Sequence, residues 1–157
     1  STDLGAEINV FRGIAQLTLD NKGRLMVPAR HRDALLERCG GHVVITADAD
    51  RCLLIYPLQE WEGIQQKLLA LSNMDPRVRK LQRRLIGQAV DTEMDAAGRL
   101  LVPLALRDYA QLTKDVVMVG QTNKFELWNV EQWDADINSP GGFTPNDVPP
   151  QLEGFSL

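Results

Sequence analysis

Asp20-Asn21-Lys22-Gly23-Arg24-Leu25-Met26-Val27-Pro28 occurs a second time, 75 residues on, as Asp95-Ala96-Ala97-Gly98-Arg99-Leu100-Leu101-Val102-Pro103. Asp, Gly, Arg, Leu, Val and Pro are identical in register. Arg32-Asp33 matches Arg107-Asp108 at the same offset. After small gaps, Val43-Val44-Ile45 matches Val116-Val117-Met118, Leu54 matches Leu127, and Trp61 matches Trp133. Self-similarity of this kind marks one structural unit used twice. The chain therefore divides into two related halves, residues 11–71 and 86–134.

Each half reads the same way. A strand comes first (14–19; 89–94), and Asp-x-x-Gly-Arg then reverses the chain. The Asp side chain accepts hydrogen bonds from backbone N–H groups two or more residues on, and Gly supplies a positive φ without a steric cost. A short strand ends at Pro28 or Pro103, and proline is favoured at a helix start, so a short helix is expected over 29–38 and 104–112. Two further strands follow in each half, 43–46 with 52–56 and 116–119 with 125–128, joined by polar hairpin turns. Behind Pro57, Trp61, Ile64, Leu68 and Leu71 fall at helical spacing. Asp75-Pro76 reads as an N-cap followed by a first-turn proline. Val78, Leu81 and Leu85 then form an apolar stripe opposite Arg77, Arg79, Lys80, Arg83 and Arg84. The fold class is mainly β with flanking helices. The parts are residues 1–10, a flexible N-terminal extension; 11–71, the first half with its helix; 72–85, a basic connecting helix; 86–134, the second half; and 135–157, a flexible acidic tail.

Composition narrows the function classes. The chain has 157 residues with 44% apolar and 24% charged residues, ordinary for a globular protein with its own core. No apolar stretch approaches the length of a membrane span. Residues 1–10 carry Asp3 and Glu7 and no base, unlike a secretory signal. Cys39 and Cys52 are too few for a disulfide framework, so a reducing cytoplasm is expected. The net charge is −4, but it is unevenly spread. Residues 131–157 hold five acids and no base, whereas residues 77–84 hold five bases and no acid. A basic working body with acidic ends points to a polyanionic partner.

The candidate site follows from the turns. A turn needs its Asp and Gly but does not need Lys22, Arg24 or Arg99 beside them. Guanidinium offers five donors in a fixed fork, which suits phosphate or the O6 and N7 of guanine. Asp20, Gly23, Asp95 and Gly98 shape the turns; Lys22, Arg24 and Arg99, with Arg12, are the candidate DNA-binding residues. The basic helix residues Arg77, Arg79, Lys80, Arg83 and Arg84 form a secondary basic face, open to phosphate contact, to an acidic neighbouring subunit, or to solvent alone. No metal site is expected from His31, Cys39, His42 and Cys52, because only Cys39 and His42 have structural-zinc spacing; the histidines read as surface residues and the cysteines as buried. Asp20 and Asp95 would make a poor catalytic dyad, since the Arg four residues on favours ionised carboxylates over a shared proton. No enzymatic motif and no cofactor are expected.

Asp20-x-Lys22-Gly23-Arg24-Leu25-x-Val27-Pro28, repeated at Asp95 and preceded by Phe11-Arg12-Gly13, resembles the MraZ family over residues 11–134. That resemblance implies a double-split β-barrel built from two swapped-hairpin halves of the AbrB type. It implies a DNA-binding repressor of the bacterial division and cell-wall gene cluster, working in the cytoplasm at the nucleoid. It implies a ring-shaped homo-oligomer on direct promoter repeats of double-stranded DNA, with Lys22, Arg24 and Arg99 as the matching DNA-contact positions. Ala96 and Ala97 depart from the fuller pattern, so the second turn is the weaker of the two. The family's chains begin near Phe11, which sets residues 1–10 outside the resemblance. The alternatives are an antitoxin-type autoregulator of the same barrel class and a non-enzymatic oligomeric scaffold.

Overall fold

The computed structural model describes residues 11–140 and 149–154. The first half contains β1 (Phe11–Thr18), β2 (Arg24–Met26), α1 (Ala29–Cys39), β3 (His42–Ala47), β4 (Leu53–Pro57) and α2 (Leu58–Ala70). A connecting helix, α3 (Pro76–Leu85), leads to β5 (Val90–Glu93), β6 (Arg99–Leu101), α4 (Leu104–Tyr109), β7 (Asp115–Thr122), β8 (Phe125–Asn129) and α5 (Val130–Asn138). A 3-10 turn follows at Pro150–Leu152.

The two halves are interleaved, not side by side. Six strands form one antiparallel sheet in the order β1-β7-β8-β4-β3-β5, and β2 pairs with β6 in a separate two-stranded ribbon. The first strand of each half has left its own half: β1 pairs with β7, and β5 pairs with β3. Pairing follows the repeat closely. Leu25 faces Leu100, its own repeat partner, at the centre of the ribbon. At the centre of the sheet Leu53 faces Leu127 and Leu54 faces Glu126. The mainly β, two-half fold expected from the duplicated stretch is the one adopted, with the strand exchange that the family resemblance implies.

The sheet is covered on both faces, which explains its continuous apolar runs. Val43, Ile45, Leu53, Ile55, Val116, Met118, Phe125 and Leu127 point into the main core, where the ribbon supplies Leu25 and Leu100 and the helices supply Leu35 and Leu106. The alternate residues pack outward. Val44, Leu54 and Tyr56 meet Trp61 of α2, while Cys52, Val117, Val119 and Trp128 meet Trp133 of α5. The repeated tryptophans thus hold equivalent helices over equivalent hairpins. The buried Thr46 hydroxyl donates to the Leu85 carbonyl at 2.6 Å and anchors the end of α3 to β3. The Asp75 carboxylate accepts from the Arg77 N–H at 2.8 Å, the N-cap that Asp75-Pro76 predicts.

Three expectations need correction. The tail does not begin at 135, because α5 continues to Asn138; Asn129 caps its start by accepting from the Gln132 N–H at 3.1 Å. The helix expected to reach Leu112 ends at Tyr109, where Gln111 adopts a left-handed φ of 55°. His31 is buried, not a surface residue: its ring lies 4.9 Å from that of Phe125 and 5.6 Å from that of Phe11. Residues 1–10, expected to be a flexible extension, fall outside the described residues, as do 141–148 and 155–157 of the tail. Among the described residues no helix is long and apolar enough to cross a membrane.

Candidate nucleic-acid interface

Each Asp-x-x-Gly-Arg turn is built from its aspartate. Asp20 Oδ1 accepts from the backbone N–H groups of Lys22 and Arg24, each at 2.9 Å, and Oδ2 accepts from Arg24 Nε at 2.7 Å. Asp95 repeats this with Ala97 N–H at 3.0 Å, Arg99 N–H at 2.8 Å and Arg99 Nε at 2.9 Å. Backbone bonds close both turns, Asp20 N–H to Arg24 O and Asp95 N–H to Arg99 O, both 2.9 Å. Gly23 and Gly98 supply the left-handed positions, at φ 85° and 86°. The Asp20 carboxyl is pulled down to about 2, foremost by the Arg24 backbone N–H and then by the Arg24 side chain and the Lys22 N–H. The Asp95 carboxyl is also lowered, foremost by the Arg99 backbone N–H. Both aspartates are therefore firmly ionised acceptors, which hold their arginines in place and suit no proton-sharing chemistry.

The ribbon then sets where the arginines point. Leu25 and Leu100 face the core, and both are fully buried. By the two-residue period of a strand, the other face presents Arg24 and Met26 from β2 with Arg99 and Leu101 from β6. Met26 and Leu101, at the ends of their strands, are 43% and 47% exposed, too much for core residues. Arg24 sits opposite Leu101, and Arg99 opposite Met26, so the two arginines are diagonal neighbours, roughly 7–8 Å apart. Each uses Nε on its aspartate, and among the described residues its terminal nitrogens make no hydrogen bond. Lys22 is exposed at the tip of the first turn, where the second carries Ala97.

Sequence reasoning passed over two residues that shape this surface. Arg107 Nε donates to Val102 O at 2.9 Å, and Arg32 Nε donates to Val27 O at 2.7 Å. Val102 N–H donates in turn to Gly23 O, and Val27 N–H to Gly98 O, each at 2.9 Å. Each arginine thereby lies across the turn of the opposite half. The signal was present, since Arg32 and Arg107 are repeat partners, but no local turn chemistry asks for them.

The remaining candidates lie elsewhere. Arg12 is exposed near the start of β1 opposite Gln121, six residues or roughly 20 Å along the strand from Thr18, so it lies away from the first turn. The five bases of α3 share one side of the helix but differ in their partners. Arg77 is paired with Asp75 at 2.7 Å, and Arg79 donates to the carbonyls of Asn73 and Met74 at 2.8 and 3.0 Å. Lys80, Arg83 and Arg84 turn toward the β3–β4 loop. The histidines and cysteines weighed and set aside as zinc ligands have separate surroundings: Cys39 Sγ donates to Leu35 O, Cys52 is buried under α5, and His42 pairs with Glu93 at 2.8 Å. Among the described residues no three His, Cys, Asp or Glu gather as metal ligands.

A family model described as "MraZ protein, putative antitoxin-like" matches residues 10–84 and again residues 85–138. The chain belongs to the MraZ family. The double match to the MraZ model divides the chain at the C-terminal end of α3, between the two interleaved halves. Proteins named transcriptional regulator MraZ are similar over nearly the whole chain. The one from Nitrosomonas europaea is 51% identical, and the one from Nitrosospira multiformis 53%, each over 94% of this chain and 100% of the relative. The one from Thioalkalivibrio sulfidiphilus is 56% identical over 79% of this chain and 83% of its own length.

Proposed function

We propose that this protein is a transcriptional regulator that lays the β2–β6 ribbon into the major groove of double-stranded DNA. The observation that carries the reading is the ribbon's outer face, on which two aspartate-held arginines stand diagonally, each opposite an exposed apolar residue. The major groove is wide enough to admit a two-stranded ribbon, and an arginine fork matches guanine O6 and N7. Met26 and Leu101 suit the methyl groups of thymine on the same edge. Lys22 contacts phosphate at the first turn, and Ala97 makes the second turn the weaker contributor. The family membership and the names of the relatives support a regulator over a scaffold.

The finer reading is a repressor of the division and cell-wall gene cluster, acting at the nucleoid as a ring of identical subunits on direct promoter repeats. One ribbon reaches few base pairs, and the body's excess of bases over acids is small, so a single subunit binds weakly. Several ribbons on one ring raise the local concentration of the next contact, and avidity of about 10²–10⁴ follows. Ring subunits relate head to tail, so the DNA elements are direct repeats about one helical turn, roughly 10 bp, apart.

Mobility shift on the DNA upstream of the protein's own gene, with unrelated DNA as competitor, tests the regulator. Three duplexes test the ring: one element, two elements at one-turn spacing, and two with five extra base pairs between them. The half-turn insertion is expected to return affinity to the single-element level. Equal affinity for all three overturns the multivalent ring, and competition by unrelated DNA as effective as by promoter DNA overturns sequence-specific regulation.

A further inference from the structure

The part of α3 left over from its own ion pairs faces a cleft. Lys80, Arg83 and Arg84 converge there with Arg51 of the β3–β4 loop, and Gln88 and Tyr109 complete a concavity of about 390 Å³. Among the described residues none of these four cations is paired with a carboxylate. Arg84 is half-buried, and its Nε is enclosed without a hydrogen-bond partner among the described residues. A shielded guanidinium donor with no acceptor, beside three like charges, is an uncompensated arrangement. An oxyanion in the cleft would compensate it through charge, without having to touch Nε itself.

The walls are fixed in advance. Arg51 holds a left-handed φ of 65°, and its guanidinium lies 4.5 Å over the Tyr109 ring. The Tyr109 hydroxyl donates to Asp48 O at 2.7 Å, tying α4 to the β3–β4 loop. Thr46 ties the end of α3 to β3 at the same edge. The cleft is also remote from the second turn. β3 begins at His42, opposite Glu93 beside that turn, and the 48–52 loop lies past its other end, roughly 17 Å along the strand.

We propose that this cleft binds a small phosphate-bearing molecule, a phosphomonoester or diphosphate, at a site separate from the DNA-reading ribbon. Its volume lies in the range of small-molecule sites and exceeds what one backbone phosphate fills. Three arginines offer forks that match phosphate oxygens, and Lys80 adds a point charge. Such a site bears on DNA binding, because α4 runs directly from the end of β6 to Tyr109.

Isothermal titration of the full chain at constant ionic strength, with pyrophosphate and with ADP as probes, tests the assignment. One saturable site per chain is expected. Arg51→Gly keeps the left-handed backbone available, and Lys80→Gln removes an exposed charge, so both are compatible with the fold. Each is expected to weaken the probe about tenfold, while Lys67→Gln, on α2 outside the cleft, stays within twofold. Absence of saturable binding of both probes to the wild-type chain overturns the proposal. Unchanged probe affinity in both cleft variants overturns it too. Loss of promoter-duplex affinity in the cleft variants, with probe binding unaltered, would assign the cleft to the DNA backbone and overturn it as well.

Discussion

Arg107 lies directly over Gly23: a Cβ built on that glycine would stand 2.5 Å from the guanidinium carbon and Nε of Arg107. Gly98 and Arg32 stand in the same relation, with the nearest atom at 2.7 Å. Each turn is thus clamped by a residue from the other half. Gly23→Ala is expected to lower stability by about 1–3 kcal/mol, from the positive φ together with the clash. For a chain of this size that lowers Tm by several degrees. Adding Arg107→Ala should recover the clash but not the backbone strain. A thermal melt of the single and double variants checks both parts, and an unchanged Tm for Gly23→Ala would contradict the clamp.

Arg24→Ala and Lys22→Ala should fail differently on DNA. A bidentate guanine contact contributes about 1–3 kcal/mol, so Arg24→Ala is expected to lose roughly tenfold to a hundredfold per element and to relax specificity. Lys22→Ala should weaken all duplexes alike and reduce the salt dependence by about one counterion. Binding isotherms at several salt concentrations separate the two. Arg24→Ala within twofold of wild type on promoter DNA would sink the base-reading role.

The Asp20 carboxyl, lowered to about 2 from an ordinary 3.8, has a sign that can be checked. A carboxylate whose folded pKa is depressed adds stability that is fully present above its unfolded pKa. That stability is lost as pH falls from about 4 toward 2. Carboxyl carbon NMR across that range should show Asp20 titrating near 2. Because the Arg24 backbone N–H is the foremost cause, Arg24→Ala should raise the value only part of the way. Full return to the ordinary value would show that the side chain, and not the turn backbone, holds the charge.

Leu100→Ala removes half of the pair that seats the ribbon. Leu100 is fully buried against the main core, so a loss of about 2–5 kcal/mol is expected in chemical denaturation. The exposed neighbour makes the contrast: Leu101→Ala should cost far less stability, since Leu101 is 47% exposed, yet lower DNA affinity. Equal destabilisation by the two would mean that the ribbon's faces are assigned the wrong way round.

Much of the fold was legible because the repeat carries its own geometry. Leu25 and Leu100 hold the same position of the repeat, 75 residues apart, and the structure, not the offset, shows that they face each other across the ribbon. The turns were legible because Asp and Gly have specific local jobs in a reversal. The exchange of β1 and β5 came from the family resemblance alone, since strand patterning is the same whichever partner a strand takes. Arg32 and Arg107 were opaque for a related reason: their contacts cross between halves and answer to no local pattern. The basic helix was legible as a face but not in its contacts. Helical spacing groups Arg77 with Arg84, but tertiary contacts send one to Asp75 and enclose the other beside the β3–β4 loop.

Strand exchange has a consequence for how the two turns can differ. Neither half owns a complete sheet, so a chain carrying one half alone would have to meet a second copy before it could fold. Its folded population would depend on concentration, and both turns would be copies of one another. Joining the halves through α3 makes that encounter intramolecular and concentration-independent. It also frees the turns from identity: Asn21-Lys22 and Ala96-Ala97 sit in the same backbone, yet one keeps its charge and the other has lost it. A pseudo-symmetric scaffold thereby presents a surface whose two turns are chemically unequal.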